Sequence, residues 1–251
     1  MIKNIISQFF VKKRSFVLLK KIINNFPPHS SSKKIITWLN KNSQDYKTYL
    51  KELDEKIFNE TVTFIELMEN ENEKILSKIN VKLGGGANQK LLFFLTRFLR
   101  PDIVLETGVA AGHSSKVILK ALEKNKKGVL FSSDFPYFRI KNPEKYIGIL
   151  LDEKLKKNWN LAIEGDEINL KGFFKTIKKV DLFHYDSDKS YKGKKKVFNL
   201  IIDKMSEGSI MIFDDIQDDT FFKDIVAEYD FNFKVFNFEN KFIGLISDIK
   251  L

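Results

Sequence analysis

Apolar and polar positions follow two rhythms along this chain, and the change between them divides it. Up to about residue 82 the rhythm is helical. "MIKNIISQFFVKKRSFVLLKKIINNF" (1–26) sets Ile, Phe, Leu and Val among lysines, and "PPHSSSKK" (27–34) interrupts it as a loop. Residues 34–79 resume the helical pattern with Leu50, Leu53, Ile57, Val62, Ile65 and Leu67. "LGGGANQ" (83–89) reads as a flexible junction before one more helix, "QKLLFFLTRFL", which Pro101 ends.

After Pro101, short apolar runs alternate with amphipathic stretches. The runs predict strands at 102–108, 128–134, 160–166, 180–186 and 208–215, with a helix at 114–123 and others between the later strands. "FNFKVFNF" (231–238) and "KFIGLISDI" (241–249) add two more, separated only by Glu239 and Asn240. Repeated strand and helix units call for a parallel sheet covered on both faces. The last two strands must be antiparallel neighbours, because a parallel crossover needs a dozen or more residues. The expected fold is therefore α/β, a mainly parallel seven-stranded sheet closed by an antiparallel hairpin, with a helical extension over residues 1–82 and the main domain over 83–251.

Composition removes several chemistries. Cysteine is absent and only three histidines are present, so disulfides, thiolate metal sites and a cysteine nucleophile are excluded, and any metal must be held mainly by oxygen. The net charge of +10 raises the question of a polyanionic partner. However, the arginines are only Arg14, Arg97, Arg100 and Arg139, and the lysines are dispersed, so no nucleic-acid partner is expected. No apolar run reaches the length of a membrane span and no cleavable leader is evident, which leads to the expectation of a cytoplasmic protein. The basic helix at 1–26 is expected to pack on its own domain or on a second copy of the chain, with a membrane surface as the alternative.

In a doubly wound sheet, ligands sit at the carboxyl ends of the strands. The first such end reads "ETGVAAGHSS", where Gly108 and Gly112 permit a tight turn and the helix starting near Ser114 offers free amides. The spacing is not GxGxxG, and Glu106 would repel a pyrophosphate but suits an ammonium group. Asp134 ends the second strand, where ribose hydroxyls would lie, and Asp166 follows the third, where an adenine amine would lie.

With these acids in place, "VLETGVAAG" resembles the first motif of the class I S-adenosylmethionine-dependent methyltransferases, with Ala110 standing where a glycine is common. Within the class, "ETGVAAGHSS", "YDSDKSY" and "IMIFDDI" look like bacterial small-molecule O-methyltransferases acting on sugars and antibiotics. The resemblance covers roughly residues 83–251. It implies a Rossmann-like fold, S-adenosylmethionine as cosubstrate, and a cofactor site formed by Glu106, Gly108, Ala110, Gly112, Ser114, Asp134, Asp166 and Asp186.

Methyl transfer to oxygen requires a positioned, deprotonated acceptor hydroxyl. Asp186, Asp214 and Asp215 end two strands and would hold a divalent cation such as Mg²⁺, as similar acids do in the catechol and caffeoyl-coenzyme A O-methyltransferases that this segment resembles. The same resemblance places Lys189 at those enzymes' catalytic lysine, three residues beyond the metal acid Asp186, so Lys189 is the expected base in a catalytic site shared with Asp186, although many bacterial sugar enzymes have histidine at the position of Lys189. A metal-free enzyme with Asp186 or Asp188 as base is the alternative, and a non-catalytic nucleic-acid or membrane module is another. Helix capping also accounts for Asp214 and Asp215, and solvation for Lys189. His184 is expected in the core, His113 either at the cofactor or only at a helix start, and Phe93, Phe94, Phe173 and Phe174 in the core. The acceptor is expected to be a small hydroxylated molecule.

Overall fold

The computed structural model describes residues 33–81, 83–84, 86–137 and 140–247. The helix expected at 1–26 and most of the loop after it lie outside the described residues. The chain then forms helix α1 (Lys33–Asn42), the two-residue strand β1 (Ser43–Gln44), α2 (Tyr46–Leu53), α3 (Glu55–Leu76) and α4 (Gln89–Leu99). Local capping sets these boundaries. The Asp45 carboxylate accepts from the Thr48 N–H at 2.7 Å, that of Asp54 from Ile57 at 2.8 Å, and the Asn88 side chain from Leu91 at 3.0 Å, each satisfying an orphan amide of a first turn. In α4 the whole run from Leu91 to Thr96 is buried, as expected of a helix apolar all round.

The α/β part follows as β2 (Ile103–Thr107), α5 (His113–Asn125), β3 (Val129–Ser133), β4 (Trp159–Ala162), α6 (Asp166–Phe173), β5 (Val180–Tyr185), α7 (Tyr191–Ile201), β6 (Met205–Phe213), α8 (Phe221–Glu228), β7 (Asn232–Phe238) and β8 (Lys241–Ser247). The sheet order is β1-β7-β8-β6-β5-β2-β3-β4. From β6 to β4 every pairing is parallel, while β8 runs antiparallel to both β6 and β7, the latter as the short Glu239–Asn240 connection requires. The sheet has eight strands, one more than the pattern predicts, because β1 pairs with Val235 and Phe236 of β7. Two residues are too few to show a period. The run expected at 160–166 stops at Ala162, since Gly165, at φ 92°, turns the chain into α6, and Asp166 opens that helix instead of ending a strand.

Alternation along the strands feeds one core on each face of the sheet. Val104, Leu182, Ile210 and Ile212 pack with α4 and α5, whereas Leu105, Phe183, Met211 and Phe213 pack with α7 and α8. The early elements join these cores: Tyr46, Leu50 and Ile65 enter the first, Ile35 and Leu39 the second, and Trp38 stacks on Phe233 with ring centres 5.5 Å apart. Phe93 and Phe94 are buried, and Phe173 and Phe174 pack partly buried against the second core. No helix among the described residues is long and apolar enough to cross a membrane. Chain order reverses between β2 and β5, so the carboxyl ends of these neighbours open the crevice in which such sheets bind ligands.

Candidate active site

The crevice is built around the turn after β2. Gly108 has φ 86°, and a Cβ there would overlap the carbonyl oxygen of Asp186. The Gly108 N–H donates to Ser133 O at 2.8 Å and the Asp186 N–H to Thr107 O at 2.8 Å, which stitches the ends of β2, β3 and β5 together. Gly112, at φ 94°, packs away from the crevice, where a Cβ would lie 2.6 Å from Leu151 Cδ1. Ala110 adopts φ 50°, a conformation that costs a residue with a Cβ about 1–2 kcal/mol. Its N–H is held by Asp134 Oδ2 at 2.9 Å, while Asp134 Oδ1 accepts from the Phe135 N–H at 2.6 Å. The helix that follows, α5, has no side-chain cap, leaving first-turn amides at the crevice beside Ser114.

A cavity of about 870 Å³ occupies the crevice. Gly108, Ala110, Ser114, Asp134, Asp166, Asp186, Lys189 and Asp215 line it, so most of the residues singled out in the sequence meet there. The Asp166 carboxylate accepts from the Ser133 and Ser187 hydroxyls at 2.7 and 2.6 Å, which fixes it at the β4 side. Three of the expected site residues, Glu106, Gly112 and Asp214, are not in its wall.

Glu106 lies fully buried beneath the glycine turn. Its Oε2 accepts from Ser115 Oγ at 2.6 Å and Ser132 Oγ at 2.8 Å, and its Oε1 is 3.7 Å from His184 Nδ1. On the other side of the same imidazole, Nε2 is 3.5 Å from Asp214 Oδ2. Burial disfavours the imidazolium, but the carboxylates of Asp214 and Glu106 outweigh it and push His184 up to about 10. The two buried acids thus favour the charged form of a core histidine whose ring nitrogens make no hydrogen bond, and Asp214 faces inward toward it.

The rim opposite the glycine turn alternates in sign. Lys189 Nζ contacts Asp186 Oδ1 and lies 2.7 Å from Asp215 Oδ2, while Lys241 Nζ is 3.1 Å from Asp215 Oδ1. Burial and the nearby Asp214 charge raise Asp186 to about 6 against the pull of Lys189 and His184. Burial also opposes ionisation of Asp215, but the two lysines bring it down to about 2. Burial disfavours the Lys189 ammonium too, yet its carboxylate partners hold it above the ordinary lysine range. Asp188 is tied into the turn before α7, where its Oδ1 accepts from the Ser190 N–H at 3.0 Å.

These donors do not form a cation cage. The space between Asp186 and Asp215 holds the Lys189 ammonium, and Asp214 is turned to His184. Among the described residues no group of three or more His, Asp or Glu is arranged to hold a metal ion.

Three residues at or behind the site were not singled out in the sequence. Lys241 starts β8 and reaches the rim only because that strand runs against its neighbours. Tyr137 accepts a hydrogen bond from the Gly84 N–H at 3.0 Å across the cavity wall. Lys194 is buried behind Asp215. Each looks ordinary in a lysine-rich chain or a loop, and no local spacing marks them.

A reversed strand order with a glycine turn at its switch point is the arrangement by which Rossmann-like sheets bind nucleotides and related ligands. Residues 105–216 match a family model described as a methyltransferase domain. No curated protein sequence matches the chain. Among solved structures, an O-methyltransferase from Bacillus cereus in complex with S-adenosylhomocysteine aligns with TM-score 0.57 at 14% identity, covering 72% of this chain and 90% of its own. The O-methyltransferase TomG from Streptomyces achromogenes, involved in tomaymycin synthesis and bound to S-adenosylmethionine, aligns with TM-score 0.59 at 14% identity, covering 73% and 89%. An S-adenosylhomocysteine-bound methyltransferase from Podospora anserina aligns with TM-score 0.53 at 14% identity, covering 86% and 94%. At these identities the likeness is one of fold. Together with the domain match, it gives residues 105–216 as a methyltransferase domain, in a chain that has the Rossmann-like fold of O-methyltransferases solved with S-adenosylmethionine or S-adenosylhomocysteine.

Proposed function

We propose that the protein transfers a methyl group from S-adenosylmethionine to a hydroxyl oxygen of a small molecule, with Asp186 taking the hydroxyl proton. The observation that carries this reading is the single cavity joining the glycine turn to the Asp186–Lys189–Asp215 rim. Its volume lies toward the upper end of small-molecule sites, about 300–1,000 Å³, which leaves room for an acceptor beside the cofactor. The O-methyltransferases among the similar structures, one of them involved in tomaymycin synthesis, support oxygen as the acceptor atom and a small molecule as its carrier.

In the proposed reaction a lone pair of the acceptor oxygen attacks the methyl carbon, the C–S bond breaks with its electrons returning to sulfur, and the hydroxyl proton passes to the Asp186 carboxylate. This is an in-line displacement, so positioning and proton removal are the protein's main tasks. Lys189 is the weaker candidate for base, because two carboxylates stabilise its proton. As an ammonium it orients Asp186 and offsets the charge of the rim. The cation expected from the resemblance takes no part in these steps, since the donor set around Lys189 does not suit one.

Titration of the purified protein with S-adenosylhomocysteine, followed by labelled methyl transfer to a panel of phenols, sugars and hydroxylated antibiotic precursors, tests the proposal. Saturable binding and a methylated oxygen are expected. No binding at millimolar ligand would overturn it.

A further inference from the structure

Within "YKGKKK" at the start of α7, Lys192 and Lys195 are exposed, as a solvated charge run should be, but Lys194 is 1% exposed. It shares the core-facing stripe of the helix with Val197, Phe198 and Ile201, the spacing of an apolar position. An ammonium at such a place loses its water and needs fixed partners. It has two, both on the segment after β6: Asp219 Oδ2 at 3.2 Å and the main-chain oxygen of Asp215 at 3.3 Å. Asp219 in turn accepts from the Phe221 N–H at 2.8 Å, at the start of α8.

Asp215 is one of the residues with a left-handed backbone, and the Lys194 ammonium meets its main-chain oxygen. It has φ 53° and ψ 44°, a left-handed conformation that a side chain disfavours, and from it the carboxylate meets both Lys189 and Lys241 at the rim. Lys194 does not line the cavity. We infer that Lys194 is a positioning residue: its buried ammonium holds the left-handed turn at Asp215 and through it sets the Lys189 ammonium beside Asp186. This rests on the reading of Asp186 and Lys189 as the reacting rim.

The test is nuclear magnetic resonance of the ammonium groups in ¹⁵N-lysine-labelled protein, with the Lys189 signal assigned from its loss in Lys189→Met. The double variant Lys194→Met/Asp219→Asn removes both members of the ion pair, so neither charge is left unpaired. It is expected to bind S-adenosylhomocysteine within about twofold of wild type, because the glycine turn is untouched, while the Lys189 signal shifts or exchanges away. A Lys189 signal identical to wild type would overturn the inference. Should the double variant fail to fold, Lys194→Arg keeps the charge but displaces its donors, and an unmoved Lys189 signal there would overturn the inference equally. Absence of S-adenosylhomocysteine binding by the wild type would instead remove the methyl-transfer reading, while the Lys189 signal still judges the link between Lys194 and Asp215.

Discussion

At the scale of the residue, the site depends on which carboxylates keep their protons. Asp186, raised to about 6, accepts a proton only in its ionised form. The rate is therefore expected to climb about tenfold per pH unit below that value and to level off above it, read as kcat/KM against pH. Asp186→Asn should lower kcat by roughly 10²–10⁴-fold while S-adenosylhomocysteine still binds, measured by labelled methyl transfer beside calorimetry. Because an ammonium lies between Asp186 and Asp215, treatment with a chelator is expected to change the rate by no more than about twofold. A large loss restored by Mg²⁺ would show that Lys189 swings aside for a cation. Gly108→Ala forces a side chain onto the Asp186 carbonyl at positive φ, so a lowered melting temperature and weakened cofactor binding are expected together.

At the scale of the element, the early helices are part of the sheet's support. Leu39 on α1 is fully buried in the core that also holds Phe183 and Phe213. Leu39→Ala should cost about 2–5 kcal/mol in chemical denaturation, as truncation in a packed core does. A loss near zero would mean that α1 only rests on the domain. The strand and helix units were legible because apolar runs and turn residues agree with the sheet for most strands from β2 to β8, β4 being the exception. The two-residue β1 was not, since its pairing to Val235 and Phe236 depends on an edge formed almost two hundred residues later. Asp166 shows the same limit on a smaller scale. It lies in the crevice wall, but a glycine with φ 92° makes it the first residue of a helix and not the end of a strand.

At the scale of the whole molecule, Glu106, His184 and Asp214 form a buried row of titratable groups across three neighbouring strands, β2, β5 and the end of β6, beneath the site. The value for His184 is raised from near 6.5 to about 10 on folding, so its contribution to stability is complete below 6.5 and disappears as pH rises through 10. Asp215 behaves oppositely: its value is lowered to about 2, and its contribution is present above the ordinary carboxylate value and lost as pH falls through 2. Urea midpoints measured from pH 6 to 10.5 should fall on the alkaline side, and less steeply in His184→Gln. Sequence patterns placed His184 in the core but could not show the acids beside it, because these lie 78 positions before it and 30 after it.

The antiparallel course of β8 has a consequence for the order in which the protein is made. Five strands, from β2 to β6, deliver their site residues from their finishing ends, so Gly108, Asp134, Asp186 and Asp215 are in hand once β6 has left the ribosome. Lys241, at the starting end of β8, arrives on the rim only after the hairpin turns back, and the same turn covers the bare edge of β6. A nascent chain can therefore hold a nearly formed cofactor crevice while its rim is one cation short, and completing the sheet and balancing the charge of the site become a single late event.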